Sequence, residues 1–189
     1  MMRAPDPATI RAPRPVTTSG PVPGDAPPAG TDATVNPAPD QAPGHDRREH
    51  PTRPWVGIGC VIFDADRVLL VRRGKPPRAG AWSLPGGAQH LGETAEAAAR
   101  RELLEETGIV AGPLILADVI DAITRDDQGR AQFHYTIIDY AGRWRAGTAA
   151  PADDVLDVAW AAPSSLASYD LTPESLAVIA KSRALLARG

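Results

Sequence analysis

Residues Gly87–Ile109 read GAQHLGETAEAAARRELLEETGI. Thr94 suits the N-cap of a helix, Glu96 falls in its first turn, and Gly108 supplies a left-handed stop, so the spacing predicts a helix over 94–107. At about 100° per residue, Glu102 and Glu106 lie about 40° apart, with Glu105 about 60° to the other side of Glu102. Three carboxylates therefore crowd a sector of roughly 100°. Ala95, Ala98 and Ala99 lie in or beside that sector and let a neighbouring chain come close. Crowded carboxylates repel one another and are costly to desolvate. A hard divalent cation with oxygen ligands offsets both effects, and Mg²⁺ or Mn²⁺ suits carboxylates better than Zn²⁺. On the helix alone a solvated acidic face is the simpler reading, with Arg101 and Glu105 as an i,i+4 pair. The flanking loop shifts the balance. Pro85-Gly86-Gly87 and Gly92-Glu93 allow a sharp turn and an inward-turned carbonyl, with Glu93 just ahead of the helix.

Outward from this stretch, strands and helices alternate. Val56–Phe63 is a β-branched apolar run, read as a buried strand, and Asp64-Ala-Asp66 turns it into a second strand at Arg67–Arg72. Gly74–Gly80, with Pro76 and Pro77, is a loop, and Ala81–Leu84 is a short extended piece. Leu114–Ile123, Gln132–Tyr140 and Val155–Trp160 read as further strands. Thr172-Pro173-Glu174 opens a last helix with Leu176, Ile179, Ala180, Ala184 and Ala187 as its apolar face. The expected class is an α/β or α+β sandwich around a central sheet.

The chain has 189 residues. Its composition changes near Trp55: 13 of the 20 prolines lie in residues 1–54, which contain no Leu, Phe, Tyr, Trp or Cys. Such a segment buries too little apolar surface to offset its ordering entropy. We expect 1–54 to be a disordered Pro/Ala-rich extension and 55–189 to be one domain. With 20 Lys+Arg against 23 Asp+Glu, the net charge of −3 argues against a nucleic-acid surface. The single cysteine, Cys60, excludes an internal disulfide and a multi-cysteine zinc site, and reads as a small core residue. No apolar run is long enough to span a bilayer, and no apolar leader is seen at the N-terminus, so no membrane role and a cytoplasmic location are expected.

The stretch resembles the Nudix box, G-x5-E-x7-R-E-U-x-E-E-x-G-U, where U is a bulky apolar residue. Gly87, Glu93, Arg101, Glu102, Leu103, Glu105, Glu106, Gly108 and Ile109 all match. Trp82-Ser83-Leu84-Pro85-Gly86 is similar to the usual lead-in, while His90 stands where many boxes have Glu. The resemblance runs loosely from about Trp55 to the last helix and leaves out the tail. It implies a Nudix-type α/β/α sandwich with a mixed central sheet, and hydrolysis of a nucleoside diphosphate linked to another moiety by attack of water on phosphorus. It also implies Mg²⁺ or Mn²⁺ at Glu102, Glu105 and Glu106, with the Gly87 carbonyl as a further ligand. Arg101 would orient a glutamate, Glu93 would link loop to helix, and Gly108 would fix the helix end. The family's base is a box glutamate, here Glu105 or Glu106, or an acid on a loop near the last strand, here Asp153 or Asp154, with Asp157 as a further candidate. Plain turn chemistry is the alternative for these aspartates.

Arg72 and Arg73, at the end of the second strand, are the candidates for phosphate contacts, ahead of Lys75 and Arg78. Alternation places Phe133 and Tyr135 on one sheet face and His134 on the other, and Tyr135 is the ring available to stack on a base. The expected partner is a small nucleotide, ADP-ribose first and a (d)NTP second. ADP-ribose pyrophosphatases often carry a proline marker in the region that is here Asp121–Arg125, and none is present. A nucleotide-binding module without catalysis is the alternative from another class; a homodimer is compatible with the family's habits.

Overall fold

In the computed structural model, residues 48–188 are described, apart from Pro77. Most of the expected extension, 1–54, therefore lies outside the described residues. Its last residues, 48–54, adjoin the domain: His50 N donates to Gln132 O at 2.7 Å, and Gln132 Nε2 donates to Glu49 Oε1 at 2.8 Å.

The strands are β1 (Trp55–Asp64), β2 (Arg67–Arg73), β3 (Trp82–Ser83), β4 (Val110–Arg125), β5 (Ala131–Ala146) and β6 (Val155–Ala161). The helices are α1 (Ala95–Thr107) and α2 (Pro173–Leu186), and a 3₁₀ segment, Pro163–Tyr169, joins β6 to α2. The sheet runs β3-β2-β1-β5-β4, with β6 also paired to β2. β1 and β5 are parallel and the other pairs antiparallel, so the sheet is mixed as expected. No described helix is long and apolar enough to cross a membrane.

β1 is apolar and buried from Ile58 to Phe63, because both of its faces are covered there. Ile58, Cys60 and Ile62 pack with Leu69 beneath Ala98, Ala99 and Leu103 of α1. Val61 and Phe63 pack with Val68 and Leu70 beneath Val178 and Ile179 of α2. Cys60 is fully buried, and its Sγ donates to Ala99 O at 3.2 Å. Along one edge β1 meets β2 only at Phe63 and Asp64. The loop Pro85–Gln89 fills the rest of that edge: Cys60 N donates to Pro85 O, Ile58 N to Gly87 O, and Gln89 N to Val56 O, at 2.8, 2.8 and 3.2 Å. The glycine loop is thus stitched to the central strand by backbone alone.

Three readings change. β4 starts at Val110 and passes through Gly112-Pro113 as register shifts, which the sequence reading took for a break before Leu114. β5 continues past Tyr140 through Gly142, whose missing side chain admits Pro113 O within 3.2 Å of its Cβ position. On α2 the buried residues are Val178, Ile179 and Ser182, with Leu185 and Leu186 partly buried, whereas Leu176, Ala180, Ala184 and Ala187 are exposed. An alanine stripe carries little apolar area, and the stripe with Val, Ile and Leu wins the burial.

The register of α1 sets the site. Leu103→Ala should cost about 2–5 kcal/mol in urea unfolding, because Leu103 is 1% exposed. Leu104→Ala, at a residue 53% exposed, should cost under about 0.5 kcal/mol. Equal losses would contradict this register.

Candidate active site

The site forms where the loop stitched to β1 meets the C-terminal half of α1. Thr94 Oγ1 accepts from Ala97 N at 3.1 Å to cap the helix. Gly108, at φ 69°, ends it by donating to Leu104 O. Between these caps Arg101 is the hub. Its Nε and Nη2 bind both oxygens of Glu93 at 3.1 and 2.7 Å. Its Nη2 also reaches Ala88 O, and its Nη1 reaches Glu102 and Glu105 at 2.8 and 3.0 Å. Glu93 in turn accepts from His90 N at 2.6 Å. The Arg101 fork, then the His90 amide, hold the Glu93 carboxyl down at about 2, while Glu93 raises Arg101 further above its ordinary range.

The three helix carboxylates are graded in exposure. Glu105 is half exposed, the Glu102 side chain is 13% exposed, and Glu106 is buried. Glu102 lies against Gly87 so closely that a Cβ there would overlap its carboxylate. Glu106 Oε2 accepts from Gly86 N at 2.8 Å. Burial pushes the Glu106 carboxyl up to about 7; the Gly86 amide and Arg73 pull it down, and Glu102 and Asp154 push it further up.

Asp154 therefore bears on the cluster. Its carbonyl accepts from Gly74 N at 2.8 Å, its carboxylate pairs with Lys75 at 3.3 Å, and Ala152 N donates to Glu106 O. Asp153 is exposed with φ 51°, and Asp157 is exposed and bonded to its own neighbour's amide. Arg72 and Arg73 part company. Arg73 acts on Glu106, on the α1 side of the sheet. Arg72 donates to Gly80 O at 3.0 Å and lines a cavity of about 280 Å³ with Trp82, Ser168, Tyr169 and Asp170. Trp82 and Tyr169 meet edge to face, with centroids 5.0 Å apart. Tyr169 and Asp170 escaped the sequence reading, because only the 3₁₀ turn after β6 brings them to Trp82. Tyr135 lies beside Gly57, on the face that α1 does not cover.

A divalent cation fits this set on chemical grounds. The donors are hard oxygens only, the bare Gly87 gives Glu102 its room, and buried Glu106 has an amide but no cation on its carboxylate. Among the described residues no three acidic, histidine or cysteine side chains already converge as a metal cage. Arg101 holds Glu102 and Glu105, which would exchange one of its N–H bonds for the ion. The Gly87 carbonyl accepts from Ile58 N at 2.8 Å, which leaves its second lone pair for an ion.

The family model described as the NUDIX domain matches residues 53–181. An "ADP-ribose pyrophosphatase" of Methanocaldococcus jannaschii is 33% identical over 106 residues, 56% of this chain and 63% of that protein. A "Nucleoside triphosphatase NudI" of Salmonella newport is 37% identical over 129 residues, 60% of this chain and 86% of that protein. The chain thus spans under two thirds of the archaeal relative's length. The crystal structure of a MutT NUDIX hydrolase from Burkholderia pseudomallei superposes with TM-score 0.60 at 30% identity, over 68% of this chain and 98% of that one. The NUDIX domain of Shewanella oneidensis NrtR, solved with ADP ribose, shares the fold with TM-score 0.59 at 24% identity, over 71% and 89%.

Metal-free stability should report on Glu106. Its folded value of about 7 lies above its ordinary 4.5, so the folded state holds the proton between the two. The stability this contributes is complete below pH 4.5 and is lost as pH rises through 7, on the order of 3 kcal/mol. Asp139, pushed up to about 6 by burial and then by Asp118, slopes the same way. Urea unfolding in chelator at pH 5 and pH 8 should therefore show a fall that Glu106→Gln reduces but does not abolish. An unchanged slope in Glu106→Gln would refute the buried-acid assignment.

Proposed function

The chain belongs to the Nudix family, and from that premise we propose that it is a divalent-metal-dependent pyrophosphohydrolase acting on a nucleoside diphosphate linked to another moiety. Its substrate is ADP-ribose, split into AMP and ribose 5-phosphate. The observation that carries the reaction class is the set Glu102, Glu105 and Glu106 gathered at Gly86-Gly87 under the Arg101–Glu93 clamp. The archaeal relative named ADP-ribose pyrophosphatase supports the substrate. The relative named nucleoside triphosphatase, matched over most of its own length, favours a second reading, hydrolysis of a (d)NTP to a monophosphate and pyrophosphate. A binding-only module finds less support, since every acid of the box is present.

Each residue then has a physical task. Glu102, Glu105 and Glu106, with a carbonyl of the Gly86-Gly87 turn, would hold Mg²⁺ or Mn²⁺. The ion, when bound, offsets the charge of the diphosphate and acidifies the attacking water. Arg101 keeps Glu102 and Glu105 in place and bound to the loop. Arg73, whose charge bears on Glu106, would meet the diphosphate with its guanidinium. Proton acceptance falls to the Glu106–Asp154 side of the cluster, where two acids share one field, and Asp153 serves the turn.

Turnover of ADP-ribose, NADH, dinucleoside polyphosphates and normal or oxidised dNTPs, with Mg²⁺ and with Mn²⁺, tests this. We expect AMP and ribose 5-phosphate, and a kcat lower by about 10²–10⁴-fold in Glu106→Gln. Asp154→Asn should lower kcat, and Asp153→Asn should stay near the parent. Monophosphate plus pyrophosphate would select the second reading, and no turnover of any compound would overturn the hydrolase.

A further inference from the structure

The chemistry above uses the sheet face beneath α1. The other face is only half covered. α2 and the residues before it lie over Val61, Phe63, Val68, Leu70 and Ala141. Further along, Gly57, Tyr135 and Ile137 are only half-buried, although β1 is flanked on both edges. The atoms nearest a Cβ on Gly57 would be those of Ile137 and Tyr135, at 3.4 and 3.9 Å, and none of the nearest belongs to a helix. Gly57 thus leaves a bare floor on this face, whereas the next position on it, Gly59, is buried under the Asp139 carboxylate.

Asp139 closes the inner end of that floor. It pairs with Gly59 in the β1–β5 register, is 3% exposed, and its Oδ1 occupies the space that a Cβ on Gly59 would take. Its opposite neighbour, Asp118 of β4, is bound to Lys181 of α2 at 2.8 Å. Among the described residues no donor is bonded to the Asp139 carboxyl itself. A buried carboxyl without a partner costs stability, so its place beside an uncovered surface calls for a donor from outside the chain. The Tyr135 ring flanks the outer end of the floor. Gly59 also backs onto the reactive turn: a Cβ on Gly86 would lie 3.0 Å from Gly59 Cα, and Gly86 N binds Glu106.

We propose that Asp139 is a specificity-determining residue that accepts a hydrogen bond from an N–H of the nucleobase, with the base lying on Gly57 beside Tyr135 and its edge turned toward the Asp139 carboxylate over Gly59. A flat heterocycle suits a side-chain-free floor, and an acceptor at its edge selects for an amino or imino edge. The assignment rests on the nucleotide-hydrolase reading.

The test is equilibrium binding of AMP, GMP, CMP, UMP and ribose 5-phosphate, in Mg²⁺, to the full chain and to Asp139→Leu and Gly57→Ala. None of these probes contains a diphosphate. We expect AMP to bind Asp139→Leu about 10- to 100-fold more weakly, while ribose 5-phosphate changes less than about twofold. The thermal midpoint should hold or rise, because a buried unpaired acid has been removed. Gly57→Ala, whose added carbon meets its nearest neighbour at an ordinary 3.4 Å, should fold and also weaken AMP. If the substrate carries another base, its monophosphate replaces AMP as the tight binder and the Asp139 effect moves with it. Unchanged affinity in a folded Asp139→Leu, an equal loss for ribose 5-phosphate, or no monophosphate bound more tightly than ribose 5-phosphate would each overturn the proposal.

Discussion

The Arg101 guanidinium is the constraint on which the site depends. One planar fork joins Glu93 and Ala88 of the loop to Glu102 and Glu105 of α1. A lysine ammonium has three donors and no fixed plane, so it could not hold both oxygens of Glu93 while also reaching the helix. The clamp brings three carboxylates, Glu93, Glu102 and Glu105, around one guanidinium, with Glu106 beside them on the Gly86 amide. Negative charge is left over, and the raised Glu106 carboxyl is where that surplus and burial meet. The same geometry that holds the loop therefore creates the demand for a divalent ion.

The sheet divides the labour. Its α1 face holds the acids, Arg73 and the turn between β6 and its loop. Its other face carries the Trp82–Tyr169 corner with Arg72, and the glycine floor of β1. Strand alternation makes the division: on β1, Ile58, Cys60 and Ile62 pack on the α1 side, whereas Val61 and Phe63 pack on the α2 side. The two faces communicate through a single backbone layer, where Gly59 and Gly86 touch.

Much of this was legible in the sequence because it is local. The caps at Thr94 and Gly108, the sector shared by Glu102, Glu105 and Glu106, and the buried run of β1 follow from helical and strand periodicity. What could not be read depends on the path of the chain elsewhere. Glu106 is buried and Glu105 half exposed because the sheet lies to one side of α1, which a helical wheel does not show. Tyr169 reaches Trp82 only through the 3₁₀ segment. The buried face of α2 was misread because two stripes competed, and the weight of Val178, Ile179 and Leu185 decided between them.

The loop Pro85–Gln89 is fixed to β1 by amides and carbonyls and by no side chain of its own. Substitution at Ala88 therefore leaves this anchoring intact, whereas Gln89 also ties the loop to Glu93 O through its Nε2 at 2.7 Å, and Gly86 and Gly87 stay bound to their small size by Ile58, Gly59 and Glu102. Next to the reactive turn the fold thus carries a position free to drift beside positions that are not. Over generations such a border lets a lineage explore new substrates without risking the reaction.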